Sequence, residues 1–501
     1  MLNILKKIIK NSAIFGLGTI STKLAGFILL PIYVSYITVE DYGILAITEI
    51  TSLILVALIS LKIDTAFFRW YCDESFIKKQ KSIFFSALII ILIIGVLSFF
   101  ILYPFSKNLS LLLFSTDKYS YILELMLLSS IFQVFVLIIQ YLMRAQEKAI
   151  LFSVTTLIKV VVTLLLTILF IVKFNRGIEG IYEALITSQL IFFIAIAKYI
   201  WDNIEFKIDK NIVYDMLKFS LPLILAEISG ILFNVTDRYV LIFLDSMSNV
   251  GIYSFGVKIS NTIRVFLYTS AMMAITPMIY QYINKPGNKR FYSKLLTYFA
   301  FVIMFSVITL SAFSKEIIEL FAKKQEYQAA WEVIPFLSLG IFFGIMKDIS
   351  LTGLNITKKT KIIAVVIFSM AMFNILISLI LVKYFSIIGA ALSSIVTKMI
   401  SFIILYKYAQ KYYRIPYEIS KLIKIIIIGV LILVASAVLT LSNLNILIVL
   451  LFKLLLVLLF PVILYFFNFF EPIELERIKE TWNNWKNPKN FKKNIRKIKP
   501  K

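Results

Sequence analysis

The chain has 501 residues, 60% of them hydrophobic, with 52 Lys+Arg against 28 Asp+Glu and a formal net charge of +24. A soluble domain is typically about 45–50% apolar, so this composition excludes an ordinary soluble protein and makes the basic surplus first a matter of membrane topology. One cysteine, Cys72, and no histidine exclude a disulfide framework, a Cys/His zinc site and His-based acid–base or triad chemistry.

The opening stretch, "MLNILKKIIKNSAIFGLGTISTKLAGF", has the outline of a signal peptide. It lacks an A-x-A-like cleavage site and its apolar run continues to about Ile37, so it reads as a retained first span. A membrane helix needs about 20 mostly apolar residues. On that rule fourteen spans are predicted, at 11–37, 42–63, 82–103, 120–143, 151–173, 180–200, 214–245, 250–280, 292–313, 331–353, 361–383, 385–408, 421–441 and 445–468. The hairpins at 245–249 and 384–386 are the shortest divisions, and no connection is long enough to form a separate domain. About 35 Lys/Arg fall on the side of the N-terminus and about 8 on the other, so the positive-inside rule predicts that both termini are cytoplasmic. The tail at 469–501 carries ten basic residues with Trp482 and Trp485, and reads as a segment lying on anionic headgroups, with partner binding as the alternative.

Spans 1–6 and 7–12 superpose in sequence. Lys10 matches Lys218 and Gly43-Ile44 matches Gly251-Ile252, both at an offset of 208. "LFSTDKY" from Leu113 answers "LFAKKQEY" from Leu320, and Gly180, Lys198 and Tyr199 answer Gly389, Lys407 and Tyr408 at 209. An even number of spans per unit predicts two six-helix lobes related by an axis along the membrane normal, with a cavity between them. The expected architecture is an all-α integral membrane protein with an N-terminal lobe at 1–213, a C-terminal lobe at 214–413, extra helices 13 and 14 at 414–468, and the tail.

Charges within spans are costly at bilayer depth and need protein or water around them. On a wheel of about 100° per residue, Ser254, Lys258, Asn261, Thr262 and Arg264 of span 8 share one face, and Phe255, Ile259, Ile263 and Phe266 the other. This predicts an amphipathic helix whose polar face lines a wet cavity. Lys23, Lys159, Lys258, Arg264 and Lys398 lie within spans with no acid beside them in sequence and are expected to line it. Lys62 is assigned to snorkelling and Lys453 to a structural role. Asp237-Arg238 and Lys347-Asp348 are read as local compensation. A cavity richer in Lys and Arg than in free carboxylates calls for an anion, and an Arg fork suits phosphate.

The fourteen spans, the six-plus-six repeat, the Gly turns "EDYGI" and "SNVGI" and the run "LFAKKQEYQAAWEVIPFLSLG" leading into span 10 resemble the polysaccharide transporters of the MOP exporter superfamily, within it the O-antigen and capsule repeat-unit flippases. The resemblance covers residues 1 to about 468. It implies a flippase, not an enzyme and without a cofactor or metal, that moves an undecaprenyl-pyrophosphate-linked oligosaccharide across the bacterial inner membrane by alternating access. It implies membrane lipids, a polysaccharide polymerase and H+ or Na+ as partners, and no nucleic acid. Spans 1, 2, 7 and 8 line the cavity in similar proteins. The expected substrate-binding set is Lys258, Arg264, Lys23, Arg238, Lys159, Lys398 and Asn261, with Glu49, Glu227 and Asp237 as candidates for the coupling ion. Lipid II flippases carry several arginines in their first two spans that this chain lacks. The competing readings are a multidrug exporter of the same superfamily, which would want acids without surplus basic groups, and a membrane polymerase or glycosyltransferase, which would want a larger outward loop than 104–119 or 314–330.

Overall fold

Apolar sequence in contact with lipid leaves backbone groups no partner but one another, and the chain responds by being helical almost throughout. The computed structural model describes residues 2–476 apart from Asn284, Lys323 and Asn443. The basic residues beyond 476, with Trp482 and Trp485, lie outside the described residues. The helices are α1 (Leu2–Ile28), α2 (Leu30–Tyr36), α3 (Val39–Ser60), α4 (Ile63–Tyr71), α5 (Gln80–Leu102), α6 (Ser106–Phe114), α7 (Ser120–Ala145), α8 (Ala149–Ile168), α9 (Gly177–Ala195), α10 (Ala197–Asp202), α11 (Lys210–Leu244), α12 (Met247–Thr262), α13 (Ser270–Gln281), α14 (Asn288–Ala312), α15 (Ser314–Phe321), α16 (Ala330–Ser350), α17 (Thr352–Ile356), α18 (Thr360–Tyr412), α19 (Ile419–Leu441) and α20 (Ile446–Phe466). Among the described residues twelve helices, or thirteen with one bent pair, are long and apolar enough to cross a membrane. The protein is a multi-pass, all-α membrane protein.

Each predicted apolar stretch falls on a helical arm. The 53-residue α18 contains two of them, because Ser386 leaves helical geometry (φ 49°, ψ −130°) and reverses the chain. The Ser378 and Ser393 hydroxyls hydrogen-bond at 2.8 Å. Fifteen residues of straight helix would separate them by about 22 Å, so the arms are antiparallel. Asp245 receives hydrogen bonds from the Ser386 hydroxyl and the Asn249 amide, which ties this hairpin to the α11–α12 turn.

The repeat is visible in the contacts. Thr38 caps α3 by accepting from the Asp41 N–H at 3.0 Å, and Ser246, 208 residues on, caps α12 by accepting from the Asn249 N–H at 3.2 Å. The two helices then cross backbone to backbone. A Cβ on Gly43 would fall 2.2 Å from the Met247 carbonyl oxygen, and a Cβ on Gly251 would fall 2.2 Å from that of Val39. Val39 and Met247 are themselves 208 apart, so the contact is reciprocal. The short helices α6 and α15 begin at Ser106 and Ser314, the same offset.

The extra helices α19 and α20 are fastened by charge as well as by apolar packing. The fully buried Lys453 donates to Glu316 at 2.6 Å, and Lys294 reaches Glu418 at 2.9 Å and Glu471 at 2.5 Å. These pairs join α20 to α15 and the ends of α19 and α20 to α14. Lys453 is structural, as its sequence position suggested.

Candidate functional site

Helix α12 positions the site. On its apolar side Phe255 and Ile259 are buried in the core, and Gly256 lets α12 lie close to Val333 of α16. From Ile263 to Thr269 the helix widens to π geometry. The residue-by-residue turn of an α-helix therefore stops holding before Arg264. Thr262, placed by the wheel on the polar side, turns its hydroxyl to the Ile259 carbonyl and lies on an apolar groove with Phe305 and Phe313.

Two polar cavities adjoin on the other side of α12, sharing Arg238, Val257 and Asn261. The smaller, about 170 Å³, lies between the two halves of the chain and is lined by Tyr42 and Glu49 of α3 with Ser254 and Lys258 of α12. The larger, about 340 Å³, lies within the C-terminal half, between α11, α12, α16 and α18, and is lined by Asn234, Asp237, Arg264, Ser394 and Lys398. Together they expose Arg238, Lys258, Arg264 and Lys398 against Glu49 and Asp237. The sequence expectation of one cavity between two lobes is corrected in this respect: most of the volume belongs to the C-terminal half.

The cations fall into two classes. Lys258 pairs with Glu49 at 3.4 Å, and Arg264 pairs with Asp348, which Lys347 also reaches at 3.3 Å. Neither is free of an acid, as sequence neighbours alone suggested. Arg238 and Lys398 have no ion pair among the described residues, and the Arg238 Nε is buried without a hydrogen-bond partner. Asp237 does not neutralise the Arg238 guanidinium: its carboxylate accepts from the Tyr253 hydroxyl and from the Arg238 backbone N–H at 3.0 Å. Arg238 and Lys398 are therefore the cavity cations that no carboxylate pairs among the described residues, with Asp237 in the same cavity. Gly340 and Gly344 of α16 lie against the Lys398 side chain, whose Cδ is 3.7 and 3.9 Å from where their Cβ atoms would stand, an ordinary contact distance.

Other candidates lie elsewhere. Lys159 is inside the N-terminal half, donating to Gln133 at 3.4 Å, with Gln189 on the same acceptor at 3.3 Å. It lines neither cavity. Lys23 is exposed on α1 with no ion pair among the described residues; Gly26, one turn on, faces the Lys258 ammonium. Glu227 forms an ion pair with Lys62 at 2.8 Å, joining α11 to the end of α3, so Lys62 is a contact between the halves and not a snorkelling residue. Thr51 and Tyr239 add a hydrogen bond of 2.9 Å across the same seam. Each of the three candidate coupling acids thus has a partner. Asp348, which sequence reading set aside as compensation for Lys347, is the residue it missed, and only the tertiary contact reveals it.

A family model described as polysaccharide biosynthesis protein matches residues 8–283, and a second, MatE, matches 222–380. No curated protein matches in sequence. The fold is similar to that of the lipid II flippase MurJ in an inward closed conformation, with TM-score 0.73 and 18% identity over 90% of this chain and 98% of that one. It is also similar to an inward-facing multidrug resistance MATE family transporter of the MOP superfamily, with TM-score 0.62 and 16% identity over 79% of this chain and 94% of the other. A third, the MATE multidrug transporter DinF-BH, gives TM-score 0.60 and 19% identity over 82% and 96%. With an all-helical, membrane-spanning flippase-type fold and a family match over more than half its length, the chain belongs to the polysaccharide biosynthesis protein family of the MOP superfamily.

Proposed function

We propose that this protein flips an undecaprenyl-pyrophosphate-linked oligosaccharide, a repeat unit of O-antigen, capsule or a similar surface polysaccharide, across the bacterial inner membrane. Both termini face the cytoplasm, and the two six-helix lobes, bounded near residues 213 and 413, alternate access around the cavities on α12. The observation that carries this reading is the two cations without an ion pair among the described residues, Arg238 and Lys398, in adjoining cavities where Lys258 and Arg264 stand ready with exchangeable partners. A diphosphate carries charge at two centres a few ångströms apart and can engage an Arg fork and a Lys point charge together. The headgroup enters; the polyprenyl chain stays in lipid. Asn261, shared by both cavities, offers an amide to the first sugar.

Alternating access needs contacts that can separate. The Gly43–Gly251 crossing closes the seam at one end of α3 and the Lys62–Glu227 pair closes it at the other. In the cavities Arg238, Lys258, Arg264 and Lys398 outnumber Glu49 and Asp237, which favours an anion over the organic cation of a drug exporter. The test is in cells. A strain lacking its own repeat-unit flippase regains surface polymer with the wild-type chain and should fail to do so with Arg238→Gln/Lys398→Gln at equal membrane abundance. Full polymer from that variant overturns the assignment.

A further inference from the structure

A second cationic recess lies far along the chain from the first, where α18 gives way to α19. The connection "YRIP" at 413–416 does not hang free. The Gln410 side chain brackets it, donating to the Ile415 carbonyl at 2.8 Å and accepting from the Ile415 N–H at 3.0 Å, and Ser293 of α14 donates to the Pro416 carbonyl at 2.6 Å. The held loop and the last turns of α18 border an open cleft of about 580 Å³. Lys407 and Lys411 enter it from one helix face, four residues apart, and the loop returns Arg414 to the same opening. Its inner wall is Tyr406 and Tyr417, whose rings stand 5.8 Å apart.

None of the three cations has an ion pair among the described residues. The carboxylate next along the chain, Glu418, is already held by Lys294 at 2.9 Å, Lys421 at 3.1 Å and the Thr297 hydroxyl at 2.8 Å. Tyr417 is 9% exposed with its hydroxyl buried, so the cleft meets the edge of its ring and not the hydroxyl. The cleft lies between the end of one membrane-spanning arm and the start of the next, where a span of membrane length meets the headgroup region, and on the side the Lys/Arg distribution assigns to the cytoplasm. We propose that it is a binding site for the phosphodiester headgroup of an anionic phospholipid, with Lys407, Lys411 and Arg414 on the phosphate and the tyrosine wall against the glycerol. A preformed recess distinguishes it from a merely basic surface, since the loop's geometry is fixed before the ligand arrives. Occupancy would hold the α18–α19 joint, and with it α19 and α20, to one leaflet.

The test uses the full chain in nanodiscs of phosphatidylcholine, titrated with a short-chain phosphatidylglycerol and followed by native mass spectrometry. The wild type should retain phosphatidylglycerol over phosphatidylcholine, and Lys407→Gln/Lys411→Gln/Arg414→Gln should weaken that retention about tenfold. Arg414→Gln alone, the mildest change, should weaken it about threefold. The surface triple Lys78→Gln/Lys81→Gln/Lys210→Gln, exposed on the N-terminal half, removes as many charges and should leave it unchanged. The proposal fails if the two triples lose retention equally, if the cleft triple loses none, or if millimolar inorganic phosphate displaces the lipid, which would make the cleft a site for free anions.

Discussion

If a diphosphate binds beside Lys258 and Arg264, it must displace the carboxylates that hold them. Neutralising those carboxylates without removing a cation should therefore tighten anion binding. For Lys258 and Glu49, 3.4 Å apart, the bare attraction is about 5 kcal/mol at an effective dielectric of 20 and about 1 kcal/mol in water. Both side chains are partly exposed, at 28% and 48%, so the net value belongs near the lower figure, about 1 kcal/mol. Glu49→Gln should then lower the Kd for inorganic pyrophosphate roughly fivefold. Asp348→Asn should do at least as much, because Asp348 holds both Arg264 and Lys347 and is itself less exposed than Glu49, 20% against 48%. Both acids compete with the same diphosphate, so the double variant should bind it more tightly than either single variant. The assay is calorimetric titration of the full chain in nanodiscs. A gain in affinity cannot come from misfolding. Unchanged or weaker binding in both single variants would refute the exchange of partners.

Three further outcomes rest on the same contacts. Gly43→Ala or Gly251→Ala drives a methyl into a carbonyl oxygen at 2.2 Å, which should splay α3 from α12 and abolish polymer export while the protein stays in the membrane; normal export would show that the crossing can loosen freely. Lys453→Met strands the Glu316 charge and should destabilise by about 3 kcal/mol, read as a fall in Tm, with Lys453→Met/Glu316→Gln recovering most of it; an unchanged Tm in the single variant would deny the pair a structural role. Burial alone would raise the carboxyls of Glu418 and Glu474, but Lys294, Lys421, Thr297 and Tyr298 outweigh it and hold both below the usual carboxylate range. Groups lowered in the folded state stabilise above their unfolded value and lose that contribution as pH falls through the folded one. Tm should be flat above pH about 5 and fall below it, less steeply in Glu418→Gln; an equal slope would contradict this.

The helices were legible because lipid tolerates so few alternatives: about twenty apolar residues in a row leave the backbone nothing else to do. The Gly43 and Gly251 repeat was legible for a related reason, although the two glycines lie inside α3 and α12 at a helix crossing and not in the turns the sequence suggested. A duplicated crossing needs the same missing side chain twice, and 208 residues of separation preserved it. The partners of the cations were not legible. Glu49 lies 209 residues from Lys258 and Asp348 lies 84 from Arg264, and a helical wheel describes only its own helix. Lys159 shows the same limit, since depth in a span does not say which neighbours surround it. The π-helical widening at 263–269 has no marker in "IRVFLYT", and past it the wheel angles no longer apply, although Arg264 still reaches the cavity.

The most direct measurement is the binding of undecaprenyl pyrophosphate, and of uncharged undecaprenol, to the purified wild-type chain and to Arg238→Gln/Lys398→Gln. The account predicts strong preference for the diphosphate in the wild type and its loss in the variant, with undecaprenol bound equally weakly by both. Equal binding of the diphosphate by the two proteins, or no preference over undecaprenol in the wild type, would contradict it.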